Sequence, residues 1–145
     1  MVKVVMIESD YLFVYGTLKS DATNTNAKQF HEQAELIGAA RWQGCLHLVT
    51  NYPAAVISKN KDEFVFGELW QLKNPEQVLS LLDKYEECAI STLLPHEYER
   101  SVEFINIDQK IIPAWVYLYQ LSTTDLPRIK TGIFINENHA LIRRS

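Results

Sequence analysis

Two carboxylates stand side by side at Glu86-Glu87, near the end of the run Leu82-Asp83-Lys84-Tyr85-Glu86-Glu87-Cys88. A carboxyl turned inward from water tends to have its pKa raised, which is what a proton-shuttling group needs. Near the start, Tyr11-Leu12-Phe13-Val14-Tyr15 is a run of β-formers that breaks at Gly16. The segment Tyr15-Gly16-Thr17-Leu18 reads as a strand end followed by a loop of exposed N–H groups. Glycine there lets a ligand approach bare backbone, and such a loop suits an anion or a carboxylate. A third stretch, Tyr98-Glu99-Arg100, adds a phenol and a guanidinium. Plainer readings stand beside these. Tyr15–Leu18 can be an ordinary strand-to-loop turn, Glu86 a solvated carboxylate or the partner of Arg100, and Tyr98 a packed strand tyrosine.

Other reactive side chains are poorly placed for chemistry. Cys88 has no histidine base near it in sequence, so it makes a poor nucleophile. Cys45 and Cys88 are expected to be reduced thiols. The histidines His31, His47, His96 and His139 are scattered and form no ligand spacing. No metal and no cofactor is expected, and there is no phosphate-binding glycine loop.

The elements that must carry these residues follow from periodicity and punctuation. The clearest helix runs from Pro75 to about Glu87, with Asn74 as cap, Pro75 in its first position and Gln77 completing a capping box. Val78, Leu81, Leu82 and Tyr85 form its apolar stripe. With a step of about 100° per residue and Val78 as zero, Glu86 falls about 80° away at the edge of the stripe, and Glu87 falls about 180° away on the solvated face. Lys28 to Ala34 reads as a second, short helix after a polar loop at Ser20 to Ala27. Glu35 to Arg41 and Cys45 to Val49 read as separate strands with a turn at Gly44. Asn51-Tyr52-Pro53 reads as a turn, and Ala54 to Ile57 with Phe64 to Leu72 as a hairpin. Tyr98 to Ile107 and Ile111 to Tyr119 form a second hairpin around Asp108-Gln109-Lys110. In the tail, Leu126-Pro127 and Gly132 mark breaks, and Trp70 and Trp115 read as core. Six or seven strands with one good helix and short connections indicate an α+β domain, a mixed sheet curling toward a barrel.

The totals agree with one soluble domain over residues 1–145. Hydrophobic residues make up 47% and charged residues 22%, the usual globular balance. A net charge of −4 with no basic run argues against nucleic acid as a partner. No apolar stretch is long enough to span a bilayer, and Met1–Ile7 does not read as a signal peptide, so a cytoplasmic protein without a membrane partner is expected.

Three blocks in order carry a resemblance: Tyr15-Gly16-Thr17-Leu18, then Phe66-Gly67-Glu68-Leu69-Trp70, then Leu82-Asp83-Lys84-Tyr85-Glu86 with Tyr98-Glu99-Arg100. Over roughly Tyr11 to Tyr119 the chain resembles the γ-glutamylcyclotransferase-like superfamily, in particular its γ-glutamylamine cyclotransferase and AIG2-like branch. The resemblance implies a small mixed β-barrel flanked by helices. It implies cyclisation of the γ-glutamyl group of a small γ-glutamyl amine or peptide to 5-oxoproline, with Glu86 as general acid/base. The Tyr15, Gly16, Thr17 and Leu18 backbone would hold the glutamyl end, and Tyr98 is the candidate hydroxyl donor in the pocket. Arg100 can pair with a substrate carboxylate or with a structural acid, the structural role being favoured, and Tyr117 and Tyr119 are left as core or pocket wall. The chain departs from many members at Gly132-Ile133-Phe134, where they carry Gly-Asp-Trp or Gly-Asp-Tyr, so the resemblance does not fix the leaving half of the substrate. A non-catalytic small-ligand-binding or interaction protein on the same fold is the alternative, and the oligomeric state is open.

Overall fold

The structure is a computed structural model that describes residues 9–85 and 97–136. Strand β1 (Tyr11–Val14) is followed by α1 (Thr25–Glu32), β2 (Ala34–Val49), β3 (Tyr52–Ile57), β4 (Phe64–Leu72), α2 (Pro75–Tyr85), β5 (Tyr98–Ile107) and β6 (Lys110–Tyr119). The strands β2-β4-β1-β6-β5 form a closed five-strand mixed barrel, sealed where Arg41 of β2 meets Asn106 of β5. Only β1 and β6 run parallel among the described pairs, at Leu12 and Trp115. None of the described helices is long and apolar enough to cross a membrane.

β1 explains its own composition. Side chains alternate across a strand, and both faces of β1 are covered. Leu12 and Val14 pack with Phe30 of α1 and with Val78, Leu79 and Leu82 of α2. Phe13, with Tyr15 beyond the strand's end, points to the opposite side, among Trp42, Val65, Leu69, Ile105 and Val116 from the other barrel strands. A strand buried on both faces reads as a continuous apolar run.

Several expected boundaries differ. Glu35 to Arg41 and Cys45 to Val49 belong to one sixteen-residue strand, β2, which bends at an irregularity between Leu36 and Gly38. Gly44 is no turn: a Cβ there would stand 2.3 Å from the Trp42 ring, so glycine makes room for an indole lying across the strand. β3 and β4 do not form a hairpin with each other. Residues 34–43 of β2 pair with β4 and residues 44–49 pair with β3, with Thr50-Asn51 as the tight turn and Tyr52 already in β3. The first helix starts earlier than expected, at Thr25, because Asn24 Oδ1 accepts the Ala27 N–H at 2.8 Å and caps it.

The β5–β6 hairpin lies where the sequence puts it, with both turn residues, Asp108 and Gln109, at positive φ. In α2 Val78 and Leu82 face inward as expected, but the third inward residue is Leu79, whereas Leu81 is 48% exposed. Both leucines flank the Val78–Leu82 line, and the facing strands decide between them.

Candidate functional site

The end of β1 delivers the chain into a cavity of about 330 Å³. Among the described residues it is lined by Phe13 to Leu18 from β1 and its loop, Asn51 from the β2–β3 turn, Tyr52 and Pro53 at the start of β3, Glu97 just before β5, Tyr98 at its start, and Tyr117 from β6. That volume lies at the low end of the roughly 300–1,000 Å³ of small-molecule sites. Tyr15, Gly16, Thr17, Leu18 and Tyr98 thus meet at one place. Glu86 and Glu87 lie outside the described residues, as do Cys88, His96 and His139.

The loop after β1 is fixed from one side. The Gly16 carbonyl accepts the Lys19 N–H at 3.1 Å and the Asn136 Nδ2 at 3.4 Å. The Thr17 carbonyl accepts Asn24 Nδ2 at 2.8 Å, and the Leu18 carbonyl accepts His31 Nε2 at 2.9 Å. Behind His31, the Trp70 ring stacks on the imidazole at 4.8 Å between centroids. Glu68 completes the clamp by accepting the Ser20 N–H at 2.7 Å and the Trp70 indole N–H at 3.0 Å. Asn136 also donates to Asp21 Oδ1 at 2.8 Å, and Lys19 Nζ donates to the Phe134 carbonyl at 2.7 Å. The stretch after Gly132 therefore holds the loop in place rather than lining the cavity among the described residues.

The opposite walls are joined by tyrosines. Tyr98 Oη donates to the Pro53 carbonyl at 2.6 Å. Tyr15 Oη donates to the Tyr117 carbonyl at 2.6 Å. Tyr117 Oη in turn donates to Asp83 Oδ1 at 2.7 Å, and Arg100 grips the same carboxylate with two bonds of 2.8 and 3.0 Å. Arg100 thus has the structural partner expected of it, and its guanidinium also covers the Trp115 ring at 4.3 Å. Asp83 ties α2 to β5 and β6 beside the cavity.

Sequence reasoning missed Asp83, Tyr52, Pro53 and Glu97. Tyr52 and Pro53 read as a turn, and nothing local marks Glu97. Its Oε2 accepts a hydrogen bond from Tyr52 Oη. Nearby, the Tyr119 phenol is pushed up by burial and then by the charge of Glu97.

A small mixed barrel with a cavity at the mouth of its central strand, floored by a clamped backbone loop, has the architecture of the cyclotransferase-type fold. The chain belongs to the family described as gamma-glutamyl cyclotransferase, AIG2-like, which matches residues 12–136. Among solved structures it is similar to an AIG2-like protein from Mus musculus (TM-score 0.63, 22% identity, 88% of this chain and 95% of that one). It is also similar to YtfP from Escherichia coli (TM-score 0.58, 25% identity, 89% and 98%). YkqA from Bacillus subtilis matches with a TM-score of 0.66 and 23% identity over 93% of this chain, which spans only 42% of YkqA. No curated protein matches the chain.

Proposed function

We propose that the protein is a γ-glutamylcyclotransferase-type enzyme. It converts the γ-glutamyl group of a small γ-glutamyl amine or peptide to 5-oxoproline and releases the amine. The observation that carries this reading is the loop at the cavity, whose Gly16 and Thr17 carbonyls are both held by protein partners. In a trans peptide the C=O and N–H point in opposite directions. The N–H groups of those two peptides are therefore turned away from Asn136 and Asn24, an arrangement suited to a carboxylate or a developing oxyanion.

The substrate carries its own nucleophile. Its α-amine attacks its γ-carbonyl carbon, a C–N bond forms to close the five-membered ring, and the original amide C–N bond breaks. The α-ammonium gives up two protons in becoming the lactam N–H, and the departing nitrogen takes up two and leaves as an ammonium. A single carboxyl can relay them, and we assign this to Glu86. Two features support the assignment. Asp83, three positions earlier in sequence, anchors α2 beside the cavity wall. On the helical wheel, Leu79 falls about 100° from Val78 and Glu86 about 80°, so the burial of Leu79 favours the side of the wheel that Glu86 shares. The folded cavity supplies proximity, which replaces an encounter with a held geometry.

Incubation with γ-glutamyl-ε-lysine, γ-glutamyl amino acids and glutathione should yield 5-oxoproline from at least one of them. Glu86→Gln should lower turnover by about 10²–10⁴-fold, the usual worth of acid/base catalysis, while Glu87→Gln retains it. No product from any substrate, with folded protein, overturns the proposal. Tight binding without product on long incubation would make the protein a binding module instead.

A further inference from the structure

One carboxylate at the cavity has no part in the reaction above. Glu97 is half-buried and lines the same cavity as the Tyr15–Leu18 loop. It is held at two points: its Oε2 accepts from Tyr52 Oη, and its backbone carbonyl accepts the Gln120 N–H at 2.9 Å. Its Oε1 accepts no hydrogen bond from the described residues. Aromatic rings surround this corner. Tyr52 and Tyr98 stand 6.3 Å apart, and Tyr119 meets the Tyr98 ring edge-on at 5.4 Å. No lysine, arginine or histidine is among the described lining residues.

Resting on the cyclotransferase reading, we propose that Glu97 selects the leaving half of the substrate, favouring an amine whose far end is an ammonium group. The fitting class is a mono-γ-glutamyl diamine. An ammonium beside a fixed carboxylate forms a charge-assisted hydrogen bond, and tyrosine faces add cation–π attraction. A leaving half that ends in a carboxylate meets like charge at this corner, which is how a site rejects a competitor. The cation that Glu97 holds is not the α-ammonium of the glutamyl group. That amine gives its protons to Glu86 in the reaction proposed above, which leaves Glu97 for a cation on the other half of the substrate.

Calorimetry with three compounds of matched length tests this: the glutaric acid monoamides of diaminobutane, pentylamine and aminobutyrate, which lack the α-amine and so cannot cyclise, and which end in a cation, a methyl group and an anion. The diaminobutane compound should bind wild-type protein about tenfold more tightly than the pentylamine compound, as one charge-assisted bond allows, and the aminobutyrate compound should bind weakest. Glu97→Gln should erase the preference, weakening the diaminobutane compound about tenfold relative to the pentylamine compound. Equal or reversed affinities in the wild type overturn the selection, and this arm needs no variant to fold. An equal loss for all three compounds in Glu97→Gln overturns it too, as does binding of none of them. Because binding is read without turnover, absence of 5-oxoproline speaks only against the reaction, and absence of a cation preference only against Glu97.

Discussion

At Gly16 an added Cβ would stand 2.4 Å from Cγ of Pro53, closer than any carbon contact can be. Pro53 is buried, and its ring cannot swing aside as a flexible chain would. Its carbonyl also accepts the Tyr98 hydroxyl, so a displaced Pro53 drags a second cavity wall with it. Gly16→Ala should therefore cost about 1–3 kcal/mol of stability, the range for overpacking. It should also weaken γ-glutamyl ligand binding, and thermal melts with calorimetry check both. An alanine variant as stable as wild type would show that Pro53 has room to move. The sequence marks Gly16 as special but for an incomplete reason. Its φ is outside the left-handed region, and what demands glycine is a proline distant in the chain. The same limit hid Asp83, Tyr52 and Glu97, whose partners Arg100, Tyr117 and one another lie on different elements.

Helix α2 shows how periodicity can give the right element and the wrong face. Val78 and Leu82 define a line, and Leu79 and Leu81 flank it on either side. Only the strands packed against it separate them: Leu79 is 6% exposed and Leu81 48%. Leu79→Ala should cost about 2–5 kcal/mol, as buried leucine truncations do. Leu81→Ala should stay within about 0.5 kcal/mol, as surface changes do. Denaturant midpoints of the two variants decide it, and equal losses would mean that the helix is rotated from this orientation. Other elements divide the same way. β1 and the β5–β6 hairpin were legible because their signals are local: a run of β-formers ending at Gly16, and a turn at Asp108-Gln109. β2 was not, because Gly44 looks like a turn residue until the Trp42 ring above it is seen. Its exchange of partners, from β4 to β3 along one strand, leaves no mark in either partner's composition.

Across the whole molecule, the tail is built from contacts that no local window contains. Leu48 donates its N–H to the Pro127 carbonyl, Ile129 donates to Leu46, and Phe66 donates to the Gly132 carbonyl. The sequence supplied only the breaks at Pro127 and Gly132. Glu63, on the β3–β4 connection, staples this tail to the barrel. Its carboxylate accepts from Ser58 Oγ, from the Cys45 thiol at 3.1 Å and from Arg128, while its carbonyl accepts the Gly44 N–H at 3.1 Å. The Ser58 hydrogen bond, then those from Cys45 and Arg128, hold the Glu63 carboxyl down to about 2, against an ordinary value of 4.5. Burial, with help from Glu63, pushes the Cys45 thiol up, so that sulfur serves as a donor and not as a nucleophile. A carboxyl whose pKa is lower folded than unfolded binds fewer protons in the native state, so its stabilisation is fully present above the unfolded value and is lost as pH falls through the folded one. The difference in melting temperature between wild type and Glu63→Gln should therefore hold steady above pH 4.5 and shrink between pH 4.5 and about 2. It should also shrink in high salt, because the Glu63–Arg128 pair is partly open to solvent. Melting curves by circular dichroism across that window check the prediction. A difference that stays constant down to pH 2 would mean that Glu63 keeps an ordinary carboxyl pKa and that the tail is held by its backbone pairing alone.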